Sequence, residues 1–250
     1  MIGIDINIDT AVTLLRLTAA VLAGAAVLCL ARAGSGWLCA GLFGAFAVLA
    51  VEVDSDRLVR LDTSVGAWFS AHRSAGWQAE ASSFYGYLGQ PIHFAVVVAF
   101  CGTLLAVQAR APMRAALLVA IVGTGVLAEE TLKDVVGRGS HLMAPYAHGF
   151  PSGHVTVWSA FLGMVAVCLG VRRRRATRAA LAALPVAGAL SIGFLALYSG
   201  AHTFTDVAGG AMLGGALVAL GDAILRASMP GLRLARTARV ATAVSGRSGW

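Results

Sequence analysis

Two polar stretches of the sequence contain histidines in positions that could serve nucleophilic or acid–base catalysis. In the first, YSGAHTFTD, His202 lies four residues before Asp206, so on a helix the two side chains would share one face. A carboxylate that accepts a hydrogen bond from one imidazole nitrogen fixes the tautomer and leaves the other nitrogen free to attack an electrophile. The spacing therefore predicts a histidine nucleophile oriented by an aspartate. The alternative is a capping pair, in which Asp206 only satisfies backbone amides.

The second stretch, GFPSGHVTVW at residues 149–158, combines the start of a helix with a histidine. Ser152 is a good N-cap residue, and Gly153 lets the backbone approach a ligand closely. The first amides of the following helix would carry a partial positive charge that suits a phosphate group. His154, in that first turn, could donate a proton to a leaving oxygen. The alternative is an ordinary helix cap with an incidental histidine.

A third polar cluster supplies the cations that a phosphate site needs. In EETLKDVVGRGSH, which begins at Glu129, Lys133 would bind phosphate oxygens as a point charge and Arg138 through its planar fork. The alternative is that Glu129 and the neighbouring acids neutralise these cations. We favour a phosphate site because the predicted topology brings all three clusters to the same side of a membrane.

The elements that must position these clusters are membrane helices. Of the 250 residues 58% are hydrophobic, and only 12% are charged, about half the charged fraction of a soluble domain. Windows of about 18 to 20 residues almost without charge are long enough to cross a hydrocarbon core, where only helices satisfy the backbone of such segments. We therefore predict an all-α, polytopic transmembrane helical bundle. Its seven predicted spans are residues 11–32, 37–53, 91–109, 113–133, 154–171, 180–199 and 206–226.

The segment 54–90 differs from the spans because charged residues interrupt it. Its apolar residues between 57 and 72 recur near helical spacing, which predicts an amphipathic helix at the membrane surface. We divide the chain into N-terminal membrane helices at 1–56, a membrane domain with the three clusters at 57–226, and a basic cytoplasmic tail at 227–250.

The net charge of +7 does not indicate a nucleic-acid-binding protein, because most of the 19 basic residues flank the spans on one side. By the positive-inside rule that side is cytoplasmic. The three clusters then face the extracytoplasmic side of the inner membrane. The four cysteines lie in apolar segments without CxxC spacing, which indicates neither a zinc site nor a disulfide framework.

In their order and spacing the clusters resemble the three motifs of the type 2 phosphatidic acid phosphatase superfamily, a family of membrane lipid phosphatases. The middle motif, P-S-G-H, is complete at residues 151–154. The last motif, S-R-x5-H-x3-D, retains its histidine and aspartate at His202 and Asp206, and the first, K-x6-R-P, retains its lysine at Lys133. The resemblance covers about residues 60–225.

The chain departs from the family pattern at two motif arginines. Ser140 stands where the first motif has arginine, and Ala196 stands where the last motif has one. Arg138, two residues before Ser140, is a candidate substitute. Removing one electrostatic donor of this kind can cost about 100-fold in rate. The departures therefore indicate either an altered substrate geometry or slow chemistry.

The resemblance implies a six-helix phosphatase core, here with an additional N-terminal helix, and an enzyme that needs no metal and no cofactor. It would hydrolyse a phosphomonoester or pyrophosphate of a lipid phosphate or polyprenyl phosphate. His202 would form a phosphohistidine, Asp206 would orient it, and His154 would protonate the leaving group. The phosphoryl oxygens would be held by Lys133, Arg138, Ser152 and Gly153. The alternative is a non-catalytic relative that binds or moves a polyprenyl or glycolipid phosphate.

Overall fold

The described part of the chain is almost entirely helical. The computed structural model describes residues 36–136, 149–171 and 173–228, and within these ranges there is no strand. The all-α class is therefore confirmed. In chain order the helices are α1 (Gly36–Asp54), α2 (Val59–His72), α3 (Ala75–Leu88), α4 (Pro91–Thr103), which continues as a π-helical turn (Leu104–Gln108), α5 (Pro112–Val135), α6 (Gly153–Gly170), α7 (Arg175–Ser199) and α8 (Phe204–Ala227).

Five of these helices, α1 and α5 to α8, are long and apolar enough to cross a membrane, which confirms the polytopic bundle. A sixth crossing forms if α3 and α4 count as one span that bends by 56°. The straight span predicted at 91–109 is therefore too simple, because α4 is short and Pro91 starts it directly after the bend. The predicted span 11–32 lies outside the described residues.

Two helices precede α4 in the segment that we predicted to differ from the spans. The amphipathic helix expected at 57–72 is present as α2. It ends at Arg73, whose backbone is extended, and Ser74 begins α3 by accepting the Trp77 N–H at its hydroxyl oxygen. We did not predict α3 from the sequence, although it contributes a residue to the site.

The start of α6 is attached directly to the start of α8. The two helices cross closely because Gly210 and Gly214 lie at the crossing. A β-carbon on either glycine would lie 2.7 Å from a backbone oxygen, that of Ser152 or of Thr156 respectively. The Ser152 N–H also donates to the carbonyl oxygen of Asp206 at 3.0 Å. The two histidine-bearing stretches therefore meet at one end of the bundle.

α6 lies at the centre of this bundle and packs against α5, α7 and α8, while α1 packs on the outer side of α8. Phe46 of α1 stacks on Phe150, just before α6, with ring centroids 5.6 Å apart. Residues 1–35 and 229–250 lie outside the described residues, so the domain boundaries at 56 and 226 stay predictions.

Candidate active site

His202 lies in the loop just before α8 and Asp206 in the first turn of that helix, so the pair does not share a helix face as expected but still meets at the helix start. The Nδ1 atom of His202 is 3.4 Å from Oδ2 of Asp206, at the long end of hydrogen-bond distances. An ionised carboxylate can only accept, so Nδ1 carries the proton and Nε2 is the nitrogen left for attack. Asp206 is fully buried, whereas 14% of the imidazole remains exposed. A ligand can therefore reach the histidine but not the aspartate behind it.

Asp206 also forms the helix cap that the alternative interpretation expected. Its Oδ2 accepts the backbone N–H of Thr203 at 2.9 Å, and the Thr203 hydroxyl accepts the Asp206 N–H at 3.5 Å, which completes a capping box. The two interpretations are compatible, because the cap holds the carboxylate in the orientation that meets His202.

The loop that carries His202 is bound to the end of α7. Gly200 closes α7 with a left-handed backbone, φ +78°, which glycine adopts without strain. The backbone N–H groups of Ala201 and His202 both donate to the carbonyl oxygen of Ala196, at 3.0 and 3.3 Å. Ala196 itself is fully buried. The position where the family motif has arginine thus contributes a backbone acceptor and no cation.

Tyr85 of α3 joins the two histidines. Its ring stacks on the imidazole of His154, with centroids 4.1 Å apart and planes 20° apart. The same ring meets His202 edge-on at 6.3 Å. The two imidazoles therefore cannot be further apart than the sum of these distances, and both belong to one small site. Sequence reasoning missed Tyr85, because it lies in no motif and on a helix that we did not predict.

His154 is held against the end of α3. A β-carbon on Gly89 would lie only 1.8 Å from Nε2 of His154, so the ring occupies the space that any other residue at position 89 would need. Trp158, one turn further along α6, donates from its indole nitrogen to the carbonyl oxygen of Leu88 at 3.4 Å. These contacts fix the position of the imidazole relative to α3.

Three buried polar atoms around the site have no hydrogen-bond partner in the described part of the chain. They are the Tyr85 hydroxyl oxygen, the Ser152 hydroxyl oxygen and Nε2 of His154. Buried polar atoms are nearly always paired in folded proteins, and each unpaired one calls for an explanation. A phosphoryl group bound here would supply acceptors for all three.

Lys133 reaches the site from the end of α5, but two carboxylates already bind it. Its ammonium forms an ion pair with Glu129 and another with Glu130, the latter at 3.1 Å. Glu129 is buried and Glu130 is exposed. The alternative interpretation of this cluster, in which acids neutralise the lysine, therefore describes the contacts of Lys133.

Asp62 of α2 is a buried acid that sequence reasoning also missed. Its two carboxylate oxygens accept the backbone N–H of Thr205 at 2.9 Å and the Thr205 hydroxyl at 2.7 Å. These bonds fasten the amphipathic helix to the first turn of α8, next to Asp206. No local pattern singled it out, and only the long-range contact with α8 reveals its role.

Arg73 brings a cation to the loop between α7 and α8. Its Nη1 atom lies close to Gly200, where an added β-carbon would come within 2.9 Å of it. The neighbouring Ser74 N–H donates to the hydroxyl of Tyr198 at 3.3 Å. The sequence analysis counted Arg73 only among the basic residues that flank the spans. In the structure it adjoins Gly200, which precedes His202 by two residues.

The remaining predicted residues are distributed as follows. Ser152 is fully buried at the N-cap of α6, and Gly153 is the first residue of that helix. Arg138 and Ser140 lie outside the described residues. In the part of the chain that is described, no group of three or more His, Cys, Asp or Glu side chains is arranged to hold a metal ion.

Comparisons with known proteins agree with these motifs. Residues 114–228 match the family model described as PAP2 superfamily, and no protein with curated annotation matches the sequence. The fold is similar to the crystal structure of a transmembrane PAP2-type phosphatidylglycerolphosphate phosphatase from Bacillus subtilis. The two chains are 20% identical with a TM-score of 0.64, and the match covers 74% of this chain and 94% of the other. The resemblance drawn from the motifs is therefore confirmed.

Proposed function

We propose that this protein, whose residues 114–228 belong to the PAP2 superfamily, hydrolyses a phosphomonoester or pyrophosphate of a lipid-linked substrate. The observation that carries the proposal is the meeting of His154 and His202 on the ring of Tyr85. Nucleophilic attack and protonation of the leaving group need two groups on one small site, and this arrangement supports both roles.

The proposed reaction proceeds in two steps. In the first, Nε2 of His202 attacks phosphorus and forms a nitrogen–phosphorus bond, while the bond from phosphorus to the leaving oxygen breaks and His154 gives that oxygen a proton. In the second, water attacks the phosphohistidine, His154 takes a proton from this water, and His202 leaves with phosphate as the product. The buried carboxylate of Asp206 stabilises the proton on Nδ1 throughout.

The phosphoryl oxygens would be held by hydroxyl groups, backbone amides and cations. Ser152 and the first turn of α6 offer a hydroxyl and a helix N-terminus. Arg73 is a further candidate in addition to Lys133 and Arg138, since its guanidinium adjoins the His202 loop and would replace charge missing at Ala196. Such preoriented donors stabilise the charge that develops in the transition state.

An apolar groove along α7 and α8 supports a lipid-linked substrate. Cavities of about 640 and 920 Å³ lie along these helices and share lining that includes Ala189. The larger one is bounded by Phe69 of α2 and by Phe204, two residues after His202. We propose that the hydrocarbon chain of the substrate occupies this groove, because it is apolar and its lining extends to Phe204, close in sequence to the proposed nucleophile.

Purified protein in detergent, given a panel of lipid phosphates with and without a metal chelator, tests the proposal through the phosphate released. We expect release that resists the chelator and falls to background in His202→Ala and His154→Ala. His72→Ala is the matched control, because His72 is exposed and its hydrogen bond and ring contact are both with Trp68 of its own helix. Phosphate release that persists in the His202 variant contradicts the mechanism.

A non-catalytic lipid-phosphate-binding protein is the second candidate, favoured by the buried alanine at position 196 and the neutralised Lys133. Binding of a lipid phosphate without phosphate release, unchanged by His202→Ala, would support it instead of the hydrolase.

We also propose that the site faces the extracytoplasmic side of the inner membrane, on the basis of the basic residues near the other end of the bundle. Ala75→Cys lies near the site, and Arg173→Cys lies in the opposite connection. An impermeant thiol reagent should label the first variant in intact cells and the second only after lysis. The reverse pattern contradicts the orientation.

A further inference from the structure

The carboxylate of Glu129 lies against the first turn of α6. It lies on α5 one turn before Lys133, and only 6% of it is exposed. A β-carbon on Gly153 would lie 2.6 Å from Oε1 of Glu129 and 2.8 Å from Oε2. A carboxylate of the protein itself therefore fills the space that glycine leaves open at this position.

The same carboxylate binds the cation of the site. Lys133 contacts both Glu129 and Glu130, but the two acids differ in their surroundings. Glu130 is 65% exposed in its side chain, whereas the side chain of Glu129 is only 8% exposed. Glu129 is buried between Lys133 and the N-terminus of α6, so among the described residues it contacts both positive features that would attract a phosphate.

A carboxylate and a phosphate cannot share these features without cost. Both are anions, and two like charges a few ångströms apart repel strongly where water is excluded. The hydroxyl groups of Tyr85 and Ser152, by contrast, are buried beside each other and make no well-formed hydrogen bond among the described residues. The hydroxyl groups are therefore available to a ligand, whereas Lys133 is already bound by a carboxylate.

We propose that Glu129 is an internal anion that competes with the phosphoryl group for Lys133 and for the N-terminus of α6. This inference rests on the proposed function and deepens it. Competition lowers the affinity of the site for inorganic phosphate, so the product leaves readily. It also makes productive binding depend on the rest of the substrate, which selects phosphate esters with a large apolar part over small soluble ones.

The test compares Glu129→Gln with Glu130→Gln in the full-length protein in detergent, and measures the binding of inorganic phosphate by calorimetry. Each substitution removes one negative charge beside Lys133 and preserves the side-chain shape. We expect Glu129→Gln to bind phosphate about tenfold more tightly or better, and Glu130→Gln to change little, because exposed ion pairs contribute little. In Glu129→Gln the KM for a short-chain phosphomonoester should fall more than kcat changes.

Phosphate affinity that is unchanged or weaker in Glu129→Gln overturns the inference, because a purely structural acid would give that result. If Glu129→Gln does not fold, Glu129→Asp serves in its place, since its shorter carboxylate withdraws from Gly153 and should raise phosphate affinity by a smaller factor. Failure of the proposed function is distinguishable: wild-type protein would release no phosphate from any lipid, while its phosphate affinity would still respond to Glu129→Gln.

Discussion

The position of His154 against Gly89 gives the sharpest test of the site. In Gly89→Ala the added methyl carbon would lie 1.8 Å from Nε2 of His154. The backbone tolerates alanine, because Gly89 has φ −87° and ψ −6°, in the right-handed helical region. The substitution therefore displaces the imidazole without straining α3.

The size of the displacement follows from van der Waals contact. Ordinary contact begins near 3.4 Å, so the ring must retreat by roughly 1.6 Å or rotate out of its stack on Tyr85. A misplacement of about 1 Å at a reacting group can cost about 100-fold in rate. We therefore expect kcat/KM for a short-chain lipid phosphate to fall by about 100-fold or more in Gly89→Ala.

The assay measures phosphate release together with thermal unfolding of the same preparation. Gly86→Ala is the matched control, since it adds the same methyl to the same helix and meets nothing within 4 Å. It should retain wild-type activity. A folded Gly89→Ala protein with full activity would refute the reasoning, because it would show that the position of His154 does not matter to the reaction.

Three further predictions concern the surroundings of the site. Asp62→Ala leaves the N–H and hydroxyl of Thr205 without this charged acceptor, which should lower the free energy of unfolding by about 3 kcal/mol, measured in detergent by thermal unfolding. An unchanged unfolding temperature would contradict it. Ala189→Trp places a large side chain in the part of the groove that both cavities share, so KM should rise for long-chain substrates and stay constant for a short-chain one. Equal effects on both substrates would contradict the groove as the lipid site. Arg73→Ala should weaken phosphate binding several-fold, whereas Arg60→Ala, on the exposed part of α2, should not; equal effects would remove Arg73 from the site.

The sequence carried enough information to predict the membrane helices and the pair formed by His202 and Asp206. Long windows without charge identify spans by length alone. The pair was expected to share a helix face, but His202 lies just before the cap residue Thr203, so the start of α8 brings the two side chains together. The start of α6 at Gly153 was equally local, because Pro151 and Ser152 mark the end of the preceding chain and the cap. The family match and the likeness to a solved membrane phosphatase confirm the class of fold that these local signals indicated.

Contacts between segments far apart in the chain could not be predicted from the sequence pattern. Tyr85 meets both histidines only because the chain bends between α3 and α4, and α3 has no apolar periodicity that would identify its buried face. The sequence analysis did not single out Asp62, and it considered Glu129 only as an acid that could neutralise the cations. Their roles depend on Thr205 and Gly153, which lie on helices far along the chain, and no local spacing encodes such partners.

The hydrogen bond from the Ser152 N–H to the Asp206 carbonyl oxygen also constrains how the helices can move during turnover. Because it unites the first turns of α6 and α8, tilting either helix moves the acid and the nucleophile by similar amounts and preserves their spacing. α3 is held differently, by α7, by a smaller contact with α4 and by Tyr85 and Leu88 against α6, and most of its remaining surface is exposed. We expect the gap through which a head group arrives to widen by an outward swing of α3, with Tyr85 parting from the histidines as it moves.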